Sequence, residues 1–248
     1  MSATDPAPKP TEQEPPAAPQ IRDAASVVAV RHGAGGPRVL MGRRGQTAAF
    51  MPSKVVFPGG AVDPADHDAA RVLAPPAAMA AHLGRHRDEA GPADPALGAA
   101  LMLAAVRELW EETGVAPTAA GRALGQALPP PWQRYVNRNG SPPLDAMHYL
   151  FRAVTPPGRP RRFDARFLLI DAACLRDPDD FSGADGELSD LGWRTIPEAL
   201  SEDLPFVTAL VLAEVAALPG LDTGDASALA AGPPFFHHVE GRSIIDRA

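Results

Sequence analysis

The stretch "PALGAALMLAAVRELWEETGV" (95–115) limits what this chain can fold into more than any other. Its spacing predicts one helix over Pro95–Thr113, closed by Gly114 in a left-handed C-terminal cap and kept from continuing by Pro117. At 100° per residue, Met102, Leu103, Val106, Leu109 and Trp110 fall on one side, so the helix must lie against a second layer. Glu108, Glu111 and Glu112 fall within an arc of about 100° on the other side. Like charges at i,i+3 and i,i+4 each cost roughly 0.2–0.5 kcal/mol, so helix stability does not explain them. Arg107 reaches Glu111 at i,i+4, but one cation does not balance three anions. Ala104 and Ala105 continue the acidic side and leave room for a close approach. Carboxylates with no histidine or thiolate among them suit a hard cation, Mg2+ or Mn2+, of the kind that bridges to substrate phosphates. On spacing alone a solvated acidic face remains the alternative.

Around this helix the pattern predicts strands at 25–31 and 38–43 about a Gly-rich turn, and at 54–57 before Pro58-Gly59-Gly60. The Gly-rich turn lacks a following Gly-Lys-Ser/Thr and does not enter a helix, so it reads as a hairpin and not a phosphate loop. Residues 67–97, rich in Ala, Pro, His and Asp, read as an inserted surface excursion with a short helix near 77–86. His82 and His86 stand at i,i+4 there, with no third ligand nearby, and are expected on the surface. A Pro-rich connection (129–131), strands at 146–153, 165–171 and 187–196, and a closing helix over 197–220 complete the pattern. Strands before, between and after two main helices predict one α+β or α/β sandwich. Residues 1–21 are a Pro-rich tail expected to be disordered, 22–220 the folded domain, and 221–248 a C-terminal extension.

Composition excludes several classes. A single cysteine, Cys174, rules out an internal disulfide framework and a multi-thiolate metal site, and reads as a small filler beside Leu168–Ile170. The net charge of −7 argues against coating nucleic acid. The longest apolar run has 11 residues (96–106), against about 20 for a membrane span, and the N-terminus lacks a secretory pattern. A soluble, cytoplasmic protein with no nucleic-acid or membrane partner is expected.

"RELWEETG" (107–114), with "FPGG" (57–60) upstream, resembles the two halves of the Nudix box, G-x5-E-x7-R-E-x2-E-E-x-G. Gly60 and Arg107 stand 47 positions apart where the pattern allows 14, so the box is split by an insertion. Counting forward from Gly60, the first glutamate's place is taken by Asp66; counting back from Arg107, by Ala99. "FMPSKVVFPGG" and "RRFDARFLL" (161–169) are also similar to segments of a mammalian peroxisomal branch of the family that hydrolyses coenzyme A and its acyl esters. Ala49 and Ser53 depart from the fuller coenzyme A signature, which wants Arg and Gly there.

The resemblance implies a Nudix α/β/α sandwich with a mixed β-sheet between helices. It implies a Mg2+- or Mn2+-dependent pyrophosphohydrolase whose substrate is a small nucleoside diphosphate linked to another moiety. Glu108, Glu111 and Glu112 would be metal ligands, with the Gly60 carbonyl beside them, and Glu108 or Glu111 would share in activating water. Arg107 would orient a glutamate, and Glu187 is the candidate general base from outside the box. Asp63 and Asp66 either add carboxylate or serve the turn into the insertion. Arg43, Arg161 and Arg162 are candidate phosphate contacts. Other readings are ADP-ribose, a dinucleotide or an oxidised nucleotide as substrate, and a non-catalytic nucleotide sensor. A homodimer is an open expectation, since many relatives pair.

Overall fold

The computed structural model describes residues 19–48, 50–85, 92–119, 127–218 and 232–246. Residues 1–18 of the tail expected over 1–21, Ala49, His86 and the rest of 86–91, 219–220 at the end of the expected closing helix, and 221–231 of the C-terminal extension lie outside the described residues, whereas Ile21, expected in the tail, opens the first strand. Two strands open the fold, β1 (Ile21–Arg31) and β2 (Arg38–Arg44), joined at a turn where Gly35 and Gly36 both take positive φ. The hairpin reading of that turn holds. Short strands β3 (Val55–Val56) and β4 (Gly59–Ala61) follow. Next come three helices, α1 (Pro64–Leu73), α2 (Ala77–Leu83) and α3 (Pro95–Thr113). β5 (Ala116–Pro117), α4 (Pro130–Asn139), β6 (His148–Val154), β7 (Arg162–Asp171) and β8 (Leu175–Arg176) lead to β9 (Leu188–Thr195). Helices α5 (Ile196–Leu200) and α6 (Phe206–Ala217) and the hairpin β10 (Phe235–Val239) and β11 (Arg242–Asp246) complete it.

Nine of the described strands form one mixed sheet in the order β11-β10-β6-β7-β1-β2-β3, with β4 on β1 and β9 on β2. β1 runs parallel to β7 over ten paired positions, Ile21↔Arg162 to Val30↔Asp171. Period-two alternation sends Ala25, Val27, Ala29, Leu168 and Ile170 to the α3 face, and Val28, Val30, Phe167 and Leu169 to the α6 face. The result is helix, sheet, helix, as the pattern predicted. No described helix is long and apolar enough to cross a membrane.

Helix α3 runs over the predicted residues and ends at Gly114 with φ +77, where Gly183 lies against it. Its surroundings differ from expectation. Ala100 through Val106 are all fully buried, so the amphipathic reading holds only for the last two turns. The covering comes from the insertion, which is not an irregular excursion. Asp63 caps α1 in a reciprocal capping box with Asp66, Pro64 occupies the first turn, and α1 and α2 both pack on α3. At the α2–α3 crossing Gly98 is required, because a Cβ there would sit 1.8 Å from the Ala80 carbonyl oxygen. Half-buried His82, expected on the surface, lies edge-on to the Tyr149 ring at 5.2 Å.

Two further elements depart from the prediction. Prolines 129–131 do not make a plain connection but open α4, where Pro is tolerated in the first turn, and its Trp132 and Tyr135 are buried. The single closing helix over 197–220 is two helices broken at Ser201–Pro205, because Pro205 cannot donate an N–H inside a helix. The sheet also carries a buried ionic network in which Arg152 grips Asp164 through two bonds of 3.0 and 2.9 Å. Fully buried Arg166 bonds the Asp164 carbonyl and pairs with Asp23. The charged residues of "RFDAR" (162–166) therefore hold β1, β6 and β7 in register.

Gly98→Ala drives a methyl into a backbone carbonyl that cannot step aside without moving α2. It is expected to lower stability by about 1–3 kcal/mol, read from the urea midpoint, whereas Ala99→Gly at the half-buried neighbour is expected to cost about 1 kcal/mol or less.

Candidate functional site

The last two turns of α3, the Gly59-Gly60 strand and the loop before β9 converge on one acidic centre. Arg107 is its hub. The guanidinium donates from Nε to Asp66 Oδ1 (3.0 Å) and from Nη2 to Asp66 Oδ2 (2.9 Å) and the Ala61 carbonyl (3.0 Å). Its Nη1 is shared by Glu108 (2.8 Å) and Glu111 (2.9 Å). Asp66, fully buried, also accepts from Trp132 Nε1 at 3.0 Å and from the Asp63 backbone N–H at 2.9 Å. So the carboxylate counted forward from Gly60 reaches the site, and it does so as the partner of Arg107. Asp63 remains in the turn, as the α1 cap.

Glu112 stands apart from the guanidinium. It is 2% exposed and accepts the Gly59 N–H at 2.8 Å. Burial is the main reason its carboxyl is pushed up to about 8; the Gly59 N–H opposes this, Glu108 adds to it, Arg44 opposes it and Glu187 adds to it. Glu108 is also raised, first by burial and against the pull of Arg107. The same burial works against the charge on Arg107, yet Asp66 and then Glu108 and Glu111 hold it charged well above its ordinary range. A Cβ at Gly60 would lie 2.4 Å from the Glu108 carboxyl, so a side chain there would push Glu108 out of its place beside Arg107. The backbone at Gly60 does not take positive φ, so glycine serves the close approach of Glu108 and not a turn.

Of the other predicted residues, Glu187 comes near. Its loop is tied to the helix end by the Asp185 N–H on the Glu111 carbonyl (2.9 Å), and Asp185 in turn caps the Glu187 N–H (2.9 Å). Arg43 is engaged elsewhere, with Glu202 at 2.8 Å and the Ser53 carbonyl at 3.2 Å. Its neighbour Arg44, not singled out in the sequence, is the guanidinium that bears on Glu112, and its buried Nε has no hydrogen-bond partner among the described residues. Period-two alternation along β2 separates the two arginines, but only the assembled sheet says which side faces α3. Arg161 is exposed at the β6–β7 turn, and Arg162 donates to the Thr155 carbonyl at 3.1 Å beside Ile21, at the far end of β1 from its turn into β2. Trp132 also went unread; its signal was an aromatic in the first turn of a Pro-initiated helix.

No family model matches the chain. It is 29% identical over 175 residues to a Caenorhabditis elegans protein designated nudix hydrolase 7, across 66% of this chain and 49% of that protein. The chain thus spans about half the length of this curated relative. It resembles the crystal structure of a Nudix hydrolase from Alicyclobacillus acidocaldarius at 27% identity and a TM-score of 0.59, covering 87% of this chain and 97% of that one. Both are Nudix hydrolases, and the chain is similar to them in sequence and in fold. The two segments that resemble the halves of a Nudix box are brought together in space, with the Gly60 strand packed on α3 beside Glu108.

The donor set fits a divalent cation. Glu108, Glu111 and Glu112 are oxygen donors, and Arg107 neutralises only part of their charge together with Asp66. Among the described residues no three acidic or imidazole groups stand ready arranged around one ion, because Arg107 holds two of the glutamates and Glu112 faces Gly59. Binding therefore needs Glu108 or Glu111 to turn off the guanidinium and Glu112 to lose its proton.

Two outcomes follow. The folded state keeps a proton on Glu112 between about 4.5, the unfolded value, and about 8, so in chelator stability is expected to fall as pH rises through that window. Thermal scans with EDTA should show this fall, and Glu112→Gln should flatten it. Asp66→Asn leaves buried Arg107 without its bidentate anion and is expected to cost about 3–5 kcal/mol by denaturant titration.

Proposed function

We propose that this Nudix protein is a Mg2+- or Mn2+-dependent hydrolase that cleaves the diphosphate of a nucleoside diphosphate linked to another moiety. Coenzyme A or an acyl-coenzyme A is the first candidate substrate. The observation that carries the reading is the glutamate trio on one helical arc, with Glu112 buried and accepting the Gly59 N–H. Three mutually repelling carboxylates, two of them desolvated, have no stabilising role that Arg107 alone requires. A nucleotide sensor would have no use for them. The coenzyme A assignment rests on the similarity of 50–60 and 161–169 to that branch, and residues 162–166 have structural work of their own in the sheet.

When bound, the cation would neutralise diphosphate charge and sharpen the electrophilicity of phosphorus. Glu108, Glu111 and Glu112 would hold it, joined by the Gly60 carbonyl, and each remaining role falls to this chain's own groups. Arg107, anchored by Asp66, keeps Glu108 and Glu111 on one side of α3 and sets where they can turn. Arg44, whose Nε has no partner among the described residues, offers it to a phosphate oxygen on the Glu112 side of β2. Glu187, close enough to perturb Glu112, accepts the proton of the attacking water at its carboxylate. Water adds to one phosphorus, the P–O–P bond breaks, and the leaving phosphate carries away the bridging oxygen. The net charge of −7 and the absence of a described membrane-length helix are consistent with a cytoplasmic small-molecule enzyme.

The test is product release from coenzyme A, an acyl-coenzyme A, ADP-ribose, a dinucleoside polyphosphate and an oxidised nucleoside triphosphate, with Mg2+ or Mn2+. Turnover of the coenzyme A compounds is expected, with a loss of about 100-fold or more in kcat for Glu111→Gln. Turnover of the other substrates alone removes the coenzyme A assignment. Tight binding without turnover of any of them favours the sensor, and unchanged activity in Glu111→Gln overturns the mechanism.

A further inference from the structure

We propose that the outer edge of β11 recognises a second copy of this chain, the two β11 strands pairing antiparallel about a two-fold axis through Ile244. The backbone sets this up. β10 and β11 are joined by Glu240 and Gly241, whose φ of 48° and 78° are those of a type I′ turn, and the flanking pair is Val239↔Arg242. In such a two-residue hairpin the flanking pair exchanges both hydrogen bonds, so His237↔Ile244 and Phe235↔Asp246 do so as well. The alternation then directs the N–H and C=O of Ser243 and Ile245 away from β10. Among the described residues no strand pairs with that side of β11. Four backbone groups in a row thus face outward at the end of a nine-stranded sheet.

The sequence of the edge, Arg-Ser-Ile-Ile-Asp (242–246), is self-complementary when inverted. With the axis at Ile244, Ser243 lies opposite Ile245 of the second copy in a hydrogen-bonded pair, and four ladder bonds form. Arg242 then lies opposite Asp246 of the second copy, twice. Arg242 forms no ion pair among the described residues, and the Asp246 side chain is 60% exposed although it already meets His237. Sliding the axis to Arg242 or to Asp246 places like charges opposite one another, so charge selects the Ile244 register. The flanks are apolar: Val239 is 43% exposed, Ile245 40%, and Phe206, which packs on Phe236 at 5.7 Å, is 67% exposed. The contact is isologous, as a two-fold interface must be. A five-residue ladder buries far less than the roughly 1,600 Å² of a standard interface, so the association is weak, with Kd on the order of 10–100 µM.

Sedimentation velocity on the full chain over about 1–500 µM tests it. The wild type is expected to dimerise with concentration. Ser243→Pro removes an outward N–H without touching the inward ladder, and Arg242→Glu sets acid against acid; each is expected to weaken the dimer at least about tenfold. Arg242→Glu combined with Asp246→Arg restores opposite charges and is expected to recover most of the loss. Circular dichroism melts establish that each variant is folded; if Ser243→Pro unfolds the hairpin, the charge-swap series decides. A wild type monomeric at every concentration, as it would be if another segment or another protein covers this edge, overturns the proposal. So does a dimer insensitive to these changes, or a double variant no tighter than the singles.

Discussion

The Arg107 guanidinium is the joint on which the acidic centre depends. Five donors of one side chain reach a buried aspartate, a backbone carbonyl and two glutamates, drawn from β4, α1 and α3. A desolvated cation of this kind is tolerable only when its partners are complete. Asp66 supplies the bidentate half, and Trp132 and the Asp63 N–H hold Asp66 in turn. The chain of contacts runs from α4 through α1 to the glutamates, so an element outside the Nudix box has a hold on the box's geometry.

That joint also explains how the box tolerates its interruption. The insertion begins after Asp66, leaving Gly60 and Asp66 in the spacing they would have in an unbroken motif, and it ends at the first turn of α3. The two added helices lie on the N-terminal half of α3, touching closely enough that Gly98 has no alternative. Burying Leu101, Met102 and Leu103 contributes about 1.5–3 kcal/mol each relative to exposure, so an insertion that covers the helix has a stabilising role as well as a topological one. The extra residues therefore belong to the core and leave the acidic end of α3 uncovered by the two helices.

The electrostatics at that end hold opposing demands together. Arg107 compensates Glu108 and Glu111, while Glu112 stays buried with only the Gly59 N–H and a nearby Arg44 to favour its charge. One glutamate is thus stored in its neutral form and two are stored as ion pairs. The dication proposed for this site would replace both the proton and the guanidinium as counter-charge.

Helix α3, its Gly114 stop, the hairpin turn at 35–36 and the α/β layering were legible in the sequence, because local periodicity and turn chemistry state them directly. So was the acidic arc, because residues three and four apart on a helix must share a side. What lies across long separations was not. The helical character of 64–83 was masked by its Ala, Pro and His content, and α4 by its opening prolines. The choice between Arg43 and Arg44 required knowing which face of β2 meets α3, and the roles of Asp66 and Trp132 required contacts over 41 and 66 positions. Sequence by itself determined the chemistry available to this protein, the carboxylates and the one guanidinium among them, because those follow from residue type and helical pitch. Only the tertiary structure decided which of them are desolvated and which are compensated, because burial and hydrogen-bond partners are set by elements distant along the chain.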